Sequence, residues 1–296
     1  MPKSRVEAII PQLTEAFEHC RARVFNFADI ESLRLQNQDT WELPPSTSNA
    51  RFLKQLIQHT PMQKFELRFP SKTRTLYALG QVPPLKRLSF ALPTAYMSHA
   101  TAFYLNKLTP TLPTAIYLNN EQSHASSETA QLSQDRIDTA FQRPQRMPSQ
   151  IADVEGHTVH LCSGRNTWNL GKTNIEWNVQ DEARVITLPS TTLERTLIDI
   201  AVRPSHVGGV ANVLTMYRAT DGSANIAIMA ELLEAIGFIY PYRQAIGFLL
   251  DRTGLYPDKI LRCLENPPFE FDFHLGHAMT HTRYVSRWRL HVPLEI

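Results

Sequence analysis

The apolar side chains near the start of the chain recur at the spacing of an amphipathic helix. Val6, Ile9, Leu13 and Phe17 lie three or four residues apart within residues 4–22, with polar residues between them. This spacing puts the apolar side chains on one face and predicts a first helix over this range.

Two shorter helices are predicted before residue 60. Asn26 is a residue type that favours the N-cap position, which predicts a second helix over residues 27–36. Residues 41–45 end in two prolines and predict a loop, after which Ser46 to Ser48 can cap a third helix. The apolar positions of this third helix are Phe52, Leu53, Leu56 and Ile57.

The period of the pattern then changes to two, which is typical of strands. Apolar and polar positions alternate over residues 65–69 and again over residues 75–79, and residues 70–74 predict the tip of a hairpin. Three helices followed by a two-stranded ribbon is the order of a winged helix-turn-helix. In that fold the third helix enters the DNA major groove and the ribbon touches the backbone or the minor groove.

The charge of the chain is distributed unevenly. The formal charge is +2 over 296 residues, but residues 47–80 hold six Lys or Arg against one Glu. This stretch carries +5, so the rest of the chain carries −3. A local positive excess favours an anionic partner at one place on the molecule.

The third helix and the hairpin supply the residue types that bind duplex DNA. Arg pairs with guanine, and Asn or Gln pairs with adenine. The base-reading candidates are Asn49, Arg51, Lys54, Gln55 and Gln58. The phosphate-binding candidates are Lys64, Lys72 and Arg74. The alternative is a solvated helix face and a solvated hairpin tip, but the order of the elements and the local charge favour DNA.

From about residue 81 the pattern becomes that of a second, larger domain. Helices are predicted over residues 84–91, 97–107, 190–202, 207–219, 224–236, 240–253 and 257–264. Strands are predicted over residues 115–118, 157–162, 174–179 and 184–188. The sequence therefore predicts an α+β chain, with a winged helix-turn-helix at 1–80 and a mixed α/β domain rich in helices at 81–296.

Motifs of common enzyme classes are absent from the sequence. It contains no phosphate-binding loop, no Gly-x-Ser-x-Gly elbow and no carboxylate cluster with a neighbouring lysine. Cys20, Cys162 and Cys263 are too scattered to predict a disulfide framework or a thiolate metal site, and we expect them to be small buried hydrophobic residues. We therefore predict no catalytic residue, no cofactor and no metal.

One histidine cluster leaves an alternative open. His274, His277 and His281 include a His-x-x-His spacing that can chelate zinc on a turn or a helix. No cysteine accompanies them, so a packed or exposed cluster is the favoured interpretation.

Three stretches of the larger domain resemble one family. They are Tyr96–Gln122 with its Ser-His-Ala-Thr-Ala start, Leu188–Asp199 with its Glu-Arg-Thr-Leu-Ile-Asp run before Gly208-Gly209, and Tyr242–Gly254 with its Leu-Leu-Asp-Arg-Thr-Gly end. In this order they resemble the AbiEi antitoxins of type IV toxin–antitoxin systems, which act in abortive infection and phage defence. The family's Arg-Leu-Gly differs here, where the chain reads Arg243-Gln244-Ala245-Ile246-Gly247, and residues 119–150 have no matching segment.

The resemblance implies an antitoxin that neutralises a nucleotidyltransferase-like toxin encoded beside it, without a stable complex. It implies a repressor that binds inverted repeats in its own promoter. Glu194, Arg195, Asp199 and Arg243 are assigned on this basis to the antitoxin surface, although a helix-surface ion pair between Arg195 and Asp199 explains their spacing equally well. We expect a cytoplasmic protein that has no membrane span and is a monomer off DNA.

Two other function classes stay open at this point. One is a DNA-processing enzyme whose winged helix delivers a metal-dependent domain, for which His274, His277 and His281 would be the metal ligands. The other is a ligand-sensing transcriptional regulator without a toxin, which would need an apolar pocket in the larger domain.

Overall fold

The chain forms two compact units in a computed structural model that describes residues 5–20, 23–123, 131–178 and 185–296. The first unit comprises Met1–Thr94, Gln150–Gly156 and Asn178–Ile186, and the second comprises Ala95–Ser149, His157–Trp177 and Thr187–Ile296. The predicted α+β class is confirmed. The first unit extends past the predicted boundary at residue 80 and includes two later segments of the chain.

Helices follow the predicted order closely. In the described residues they are α1 (Arg5–Ala8), α2 (Ile10–His19), α3 (Phe27–Gln36), α4 (Asn49–His59), α5 (Pro84–Ala91), α6 (His99–Leu105), α7 (Gln134–Phe141), α8 (Leu193–Val202), α9 (Val210–Arg218), α10 (Ile226–Ile236), α11 (Tyr242–Thr253) and α12 (Asp258–Leu261). Short 3-10 helices occupy Pro204–Val207, Arg262–Leu264 and Ser286–Trp288.

Strands occur in both units. In the described residues they are β1 (Val24–Phe25), β2 (Met62–Phe69), β3 (Lys72–Leu79), β4 (Tyr96–Met97), β5 (Ala115–Glu121), β6 (Gln150–Val154), β7 (His157–Gly164), β8 (Lys172–Asn178), β9 (Val185–Thr191), β10 (Phe273–His274), β11 (Thr282–Val285) and β12 (Leu290–Pro293). Residues 179 and 184, at the edges of two predicted strands, lie outside the described residues.

The first unit packs α1, α2, α3 and α4 on one face of a small sheet. Its strands lie in the order β1-β3-β2, and both pairings are antiparallel. The predicted first helix is divided into α1 and α2, because Pro11 has no N–H to continue the hydrogen bonding and fits the first turn of a new helix. Asn26 caps α3 in a reciprocal capping box with Asp29, as its residue type predicts. Apolar side chains from both layers form the core: Leu13, Phe17, Phe25, Ile30, Phe52, Leu56, Met62, Tyr77 and Leu79.

The second unit is built around a mixed sheet and a group of helices. Strands of this unit follow the order β7-β5-β4-β9-β8, in which β4 is antiparallel to β5 and parallel to β9. A separate sheet, β10-β12-β11, comes from the end of the chain. The largest hydrophobic core lies between the helices and includes Leu197, Ile200, Tyr217, Met229, Phe248 and Trp288.

The end of the chain is fixed to α11 by two buried residues. The Nε2 of Gln244, which is fully buried, lies 2.9 Å from the carbonyl oxygens of Phe271, Trp288 and Arg289. Gly247 faces the ring of Trp288 so closely that an added Cβ would lie 2.0 Å from it. No helix in the described ranges is long and apolar enough to cross a membrane.

Candidate nucleic-acid interface

Helix α4 presents a basic outer face because its apolar residues are held in the core. Phe52, Leu53 and Leu56 are buried, and this orientation leaves Arg51 and Lys54 exposed. The Ser48 side chain accepts a hydrogen bond from the Arg51 amide at 3.3 Å and caps the helix, as predicted.

The remaining predicted residues of α4 differ in exposure. Gln58 is exposed and Gln55 is half-buried. Asn49 is buried, and its Nδ2 donates to the Phe27 carbonyl oxygen at 3.3 Å. The assignment of Asn49 to the base-reading set is thereby corrected, because this side chain joins the start of α4 to the start of α3. Ile57, predicted to point inward, is 38% exposed.

The hairpin has a shorter tip than predicted, and its basic residues divide between two faces. Phe69 pairs with Lys72, so that only Pro70 and Ser71 form the turn. The register places Lys64 on the face of Tyr77, which belongs to the helical core, and places Lys72 on the opposite face.

On the core-side face, three charged side chains form one ion-paired group. Lys64 and Arg68 each lie 2.7 Å from a carboxylate oxygen of Glu66. Hydrogen bonds from these two cations lower the pKa of Glu66 to about 2, which keeps it ionised. This group therefore carries one net positive charge, and Lys64 is less available to a phosphate than the sequence suggests.

On the opposite face, Lys72 and Arg74 are exposed beside the tip. The neighbouring Ser71 Oγ donates to Gln150 Oε1 at 2.5 Å, which holds the turn against β6 of the same unit. Among the described residues, no ion pair involves Arg51, Lys54, Lys72 or Arg74. These four cations are exposed and uncompensated, which is the electrostatic condition for binding a polyanion.

In the second unit, Arg195 and Asp199 are not on the surface. They are 3% and 8% exposed, and the guanidinium Nε lies 2.8 Å from a carboxylate oxygen of Asp199. Their assignment to an antitoxin surface is wrong for these two side chains, because α8 directs them inward. The predicted pairing four residues apart is confirmed, but as a buried pair. Burial raises the pKa of Asp199, and the guanidinium opposes that rise.

The buried pair belongs to a larger polar network. Arg195 Nη1 donates to Thr167 Oγ1 at 3.1 Å and also to the Leu170 carbonyl oxygen. The Thr167 amide donates to Glu121 at 2.7 Å, and Tyr96 donates to the same carboxylate at 2.9 Å. Burial opposes ionisation of Glu121, but these hydrogen bonds outweigh it and hold its pKa below the usual value.

Glu194 and Arg243 are the two members of the predicted antitoxin set that reach solvent. Glu194 is half-buried and accepts a hydrogen bond from the Asn225 amide at 3.1 Å. Arg243 Nη2 donates to the Pro267 carbonyl oxygen at 2.8 Å. Both side chains therefore have structural partners within the second unit.

The predicted histidine cluster has partners other than a shared ion. His274 Nε2 lies 2.8 Å from Asp138, His277 Nδ1 lies 3.1 Å from the Arg143 carbonyl oxygen, and His281 Nδ1 lies 3.1 Å from Thr280. Among the described residues, the ligand atoms of these histidines do not converge on one point. The interpretation as a packed cluster fits this arrangement.

A different group converges in the second unit, and sequence reasoning missed it. His99 begins α6, Cys162 lies on β7 and His206 lies in a 3-10 helix, yet their ligand atoms lie within 4.8 Å of one another. All three are buried. Burial lowers the pKa of His99 to about 3 and that of His206 to about 2, so both imidazoles are neutral.

The burial of Arg195 and Asp199 yields a stability prediction. Replacing either residue alone, in Arg195→Met or Asp199→Ala, leaves an uncompensated buried charge. We expect each to lower the free energy of unfolding by about 3–5 kcal/mol. The double variant Arg195→Met/Asp199→Leu removes both charges, so its loss should be smaller than the sum of the single losses. Urea unfolding followed by circular dichroism measures all three.

The matched control is another ion pair between residues four apart, which joins α12 to the start of the following 3-10 helix. Arg262 and Asp258 pair at 3.4 Å, with side chains 73% and 58% exposed. Arg262→Ala should change stability by about 0.5 kcal/mol or less, since exposed pairs contribute little. Single variants at Arg195 and Asp199 that are as stable as this control would contradict a structural role for the buried pair.

No family model and no curated protein sequence matches the chain. Among solved structures, the chain is similar to the crystal structure of the RV2827C protein from Mycobacterium tuberculosis, with a TM-score of 0.57 and 15% sequence identity. The match covers 96% of this chain and 91% of that chain. At this identity the similarity concerns the fold, which the two proteins share over most of their lengths.

Proposed function

We propose that the first unit is a winged helix-turn-helix that binds duplex DNA. The proposal rests mainly on four exposed cations of α4 and the hairpin tip, which form no ion pair with any described residue: Arg51, Lys54, Lys72 and Arg74. The order of helices and strands in this unit supports it, because a helix followed by a two-stranded ribbon is the arrangement that places a recognition helix beside a wing.

Helix α4 reads base edges in this proposal. Arg51 and Lys54 project from its outer face, with Gln58 one turn beyond Lys54 and Gln55 partly accessible. Arg and Lys reach the acceptors of guanine, and Gln pairs with adenine. Lys72 and Arg74 contact phosphates beside the wing tip, and Lys64 adds to the charge through its group with Glu66 and Arg68.

The second unit supplies the antitoxin activity. This part of the proposal rests on the resemblance to AbiEi antitoxins, which implies a nucleotidyltransferase-like toxin as the partner and no stable complex with it. The protein then acts as a cytoplasmic, non-enzymatic repressor of its own operon. Because one recognition helix reads only a few base pairs, two monomers occupy the two arms of an inverted repeat.

Replacing Arg51 and Lys54 by Ala tests the recognition helix. Neither side chain packs in the core, so the variant should keep the melting temperature of the wild type. Each lost base contact costs about 1–3 kcal/mol, so the loss of two contacts should lower the affinity for the protein's own promoter DNA about 30-fold or more in a mobility-shift assay.

The control variant removes the same charge from another surface. Lys259 and Arg262 are both exposed in the second unit, and Lys259→Ala/Arg262→Ala should leave promoter binding unchanged. Equal loss in both double variants would show only a general effect of charge. Unchanged binding in the Arg51/Lys54 variant would exclude α4 as the recognition helix.

Repression and neutralisation should be separable. When the protein is expressed from an unrelated promoter, the Arg51→Ala/Lys54→Ala variant should still protect cells from the neighbouring toxin. Glu194→Ala/Arg243→Ala should instead reduce protection and retain promoter binding, because both residues lie in the second unit. Cell survival on toxin induction measures protection. Loss of protection only in the α4 variant would make the antitoxin effect transcriptional.

A further inference from the structure

We propose that His99, Cys162 and His206 form a buried zinc site in the second unit. Their ligand atoms lie within 4.8 Å of one another, and all three side chains are buried. Zinc bonds of about 2.0–2.3 Å in a tetrahedron separate neighbouring ligand atoms by about 3.4–3.6 Å, so small side-chain shifts close the group around an ion.

The unsatisfied atoms of His206 point to a ligand. This residue is 6% exposed, and neither Nδ1 nor Nε2 has a hydrogen-bond partner among the residues that the structure describes. A buried imidazole without any partner is costly, because it gives up its hydrogen bonds to water and regains none. If one of the two nitrogens donates its lone pair to a metal ion, part of this free-energy cost is removed.

His99 is oriented by a hydrogen bond, as ligating histidines usually are. The Nδ1 of His99 lies 2.9 Å from Ser98 Oγ, which leaves Nε2 for an ion. In metal sites, a hydrogen bond to the imidazole nitrogen that does not bind the metal fixes the orientation of the ring. Cys162 supplies the sulfur, and its thiol proton leaves to solvent when the metal–sulfur bond forms.

The rings around the group are already oriented. Tyr117 stacks on His206 with centroids 4.9 Å apart and planes at 15°, and it also stacks on His160 with centroids 4.8 Å apart and planes at 11°. His206 is therefore held in one plane before any ion binds. Three ligands from α6, β7 and a 3-10 helix would join separate elements of the unit.

The chemical types of the three ligands favour zinc over other metal ions. Two neutral imidazoles and one thiolate suit zinc, whereas magnesium and calcium prefer oxygen ligands. Two histidines and one cysteine leave one position of a tetrahedral ion for a fourth donor. This site does not depend on DNA binding or on toxin neutralisation.

The test is the metal content of the full-length protein. Wild type purified from medium containing zinc should hold about one zinc ion per chain by mass spectrometry of the metal. Cys162→Ser and His206→Phe should hold far less, and the control Cys263→Ser should match wild type because Cys263 is exposed. Wild type without zinc, or equal zinc in all variants, would overturn the proposal.

The absorption spectrum of cobalt-substituted protein and the melting temperature test the site without a measurement of zinc content. Protein produced with Co²⁺ should show a thiolate-to-cobalt absorption band that is absent in Cys162→Ser and present in Cys263→Ser. His206→Phe keeps a ring against Tyr117, so it should fold. Chelation during refolding should lower the melting temperature of wild type but not of His206→Phe. A melting temperature that does not change on chelation in wild type would contradict the site.

Discussion

The buried guanidinium of Arg195 holds several elements of the second unit together. A buried cation needs acceptors on several sides, and here Asp199, Thr167 and the Leu170 carbonyl oxygen supply them. Thr167 in turn bonds to Glu121 at the end of β5, and Tyr96 of β4 bonds to the same carboxylate. One charge thereby joins α8, the loop before β8 and two strands. Gly171 lets that loop pass close to Arg195, since an added Cβ would lie 2.6 Å from the Arg195 Cβ.

In the first unit, the exposed cations differ in whether an acidic side chain neutralises their charge. Lys64 and Arg68 are paired with Glu66, so these side chains already have an acceptor. Arg51 and Lys54 have no acid partner in the part of the chain that the structure describes. The burial of the other face of α4 keeps them pointing outward. An exposed cation without a partner contributes little to folding, and this is why we assign these residues to the binding of an anionic polymer.

Local patterns predicted most of the elements, but not what each side chain contacts. The spacing of Phe52 and Leu56 was enough to orient α4, and Asn26 was enough to place the start of α3. Asn49 was misassigned because its side chain contacts α3 through the Phe27 carbonyl oxygen. The helical periodicity of α4 does not reveal such a contact with another helix. The spacing of Arg195 and Asp199 predicted their pairing but not its burial.

The converging group in the second unit could not have been predicted from local spacing. His99, Cys162 and His206 come from three elements that meet only when the sheet and the helices are assembled. Their sequence neighbours give no ligand motif. Only the tertiary contacts bring the three together.

The salt dependence of DNA affinity tests the central claim most directly. If Lys72 and Arg74 each neutralise one phosphate, these two contacts alone should make the logarithm of the binding constant fall with the logarithm of salt concentration at a slope of about −1.8, and any further phosphate contact should make the slope steeper. Fluorescence anisotropy with promoter DNA measures this slope. The Lys72→Ala/Arg74→Ala variant should bind all sequences more weakly and lower the steepness by about two units. A wild-type slope near zero, or an unchanged slope in the variant, would contradict the account.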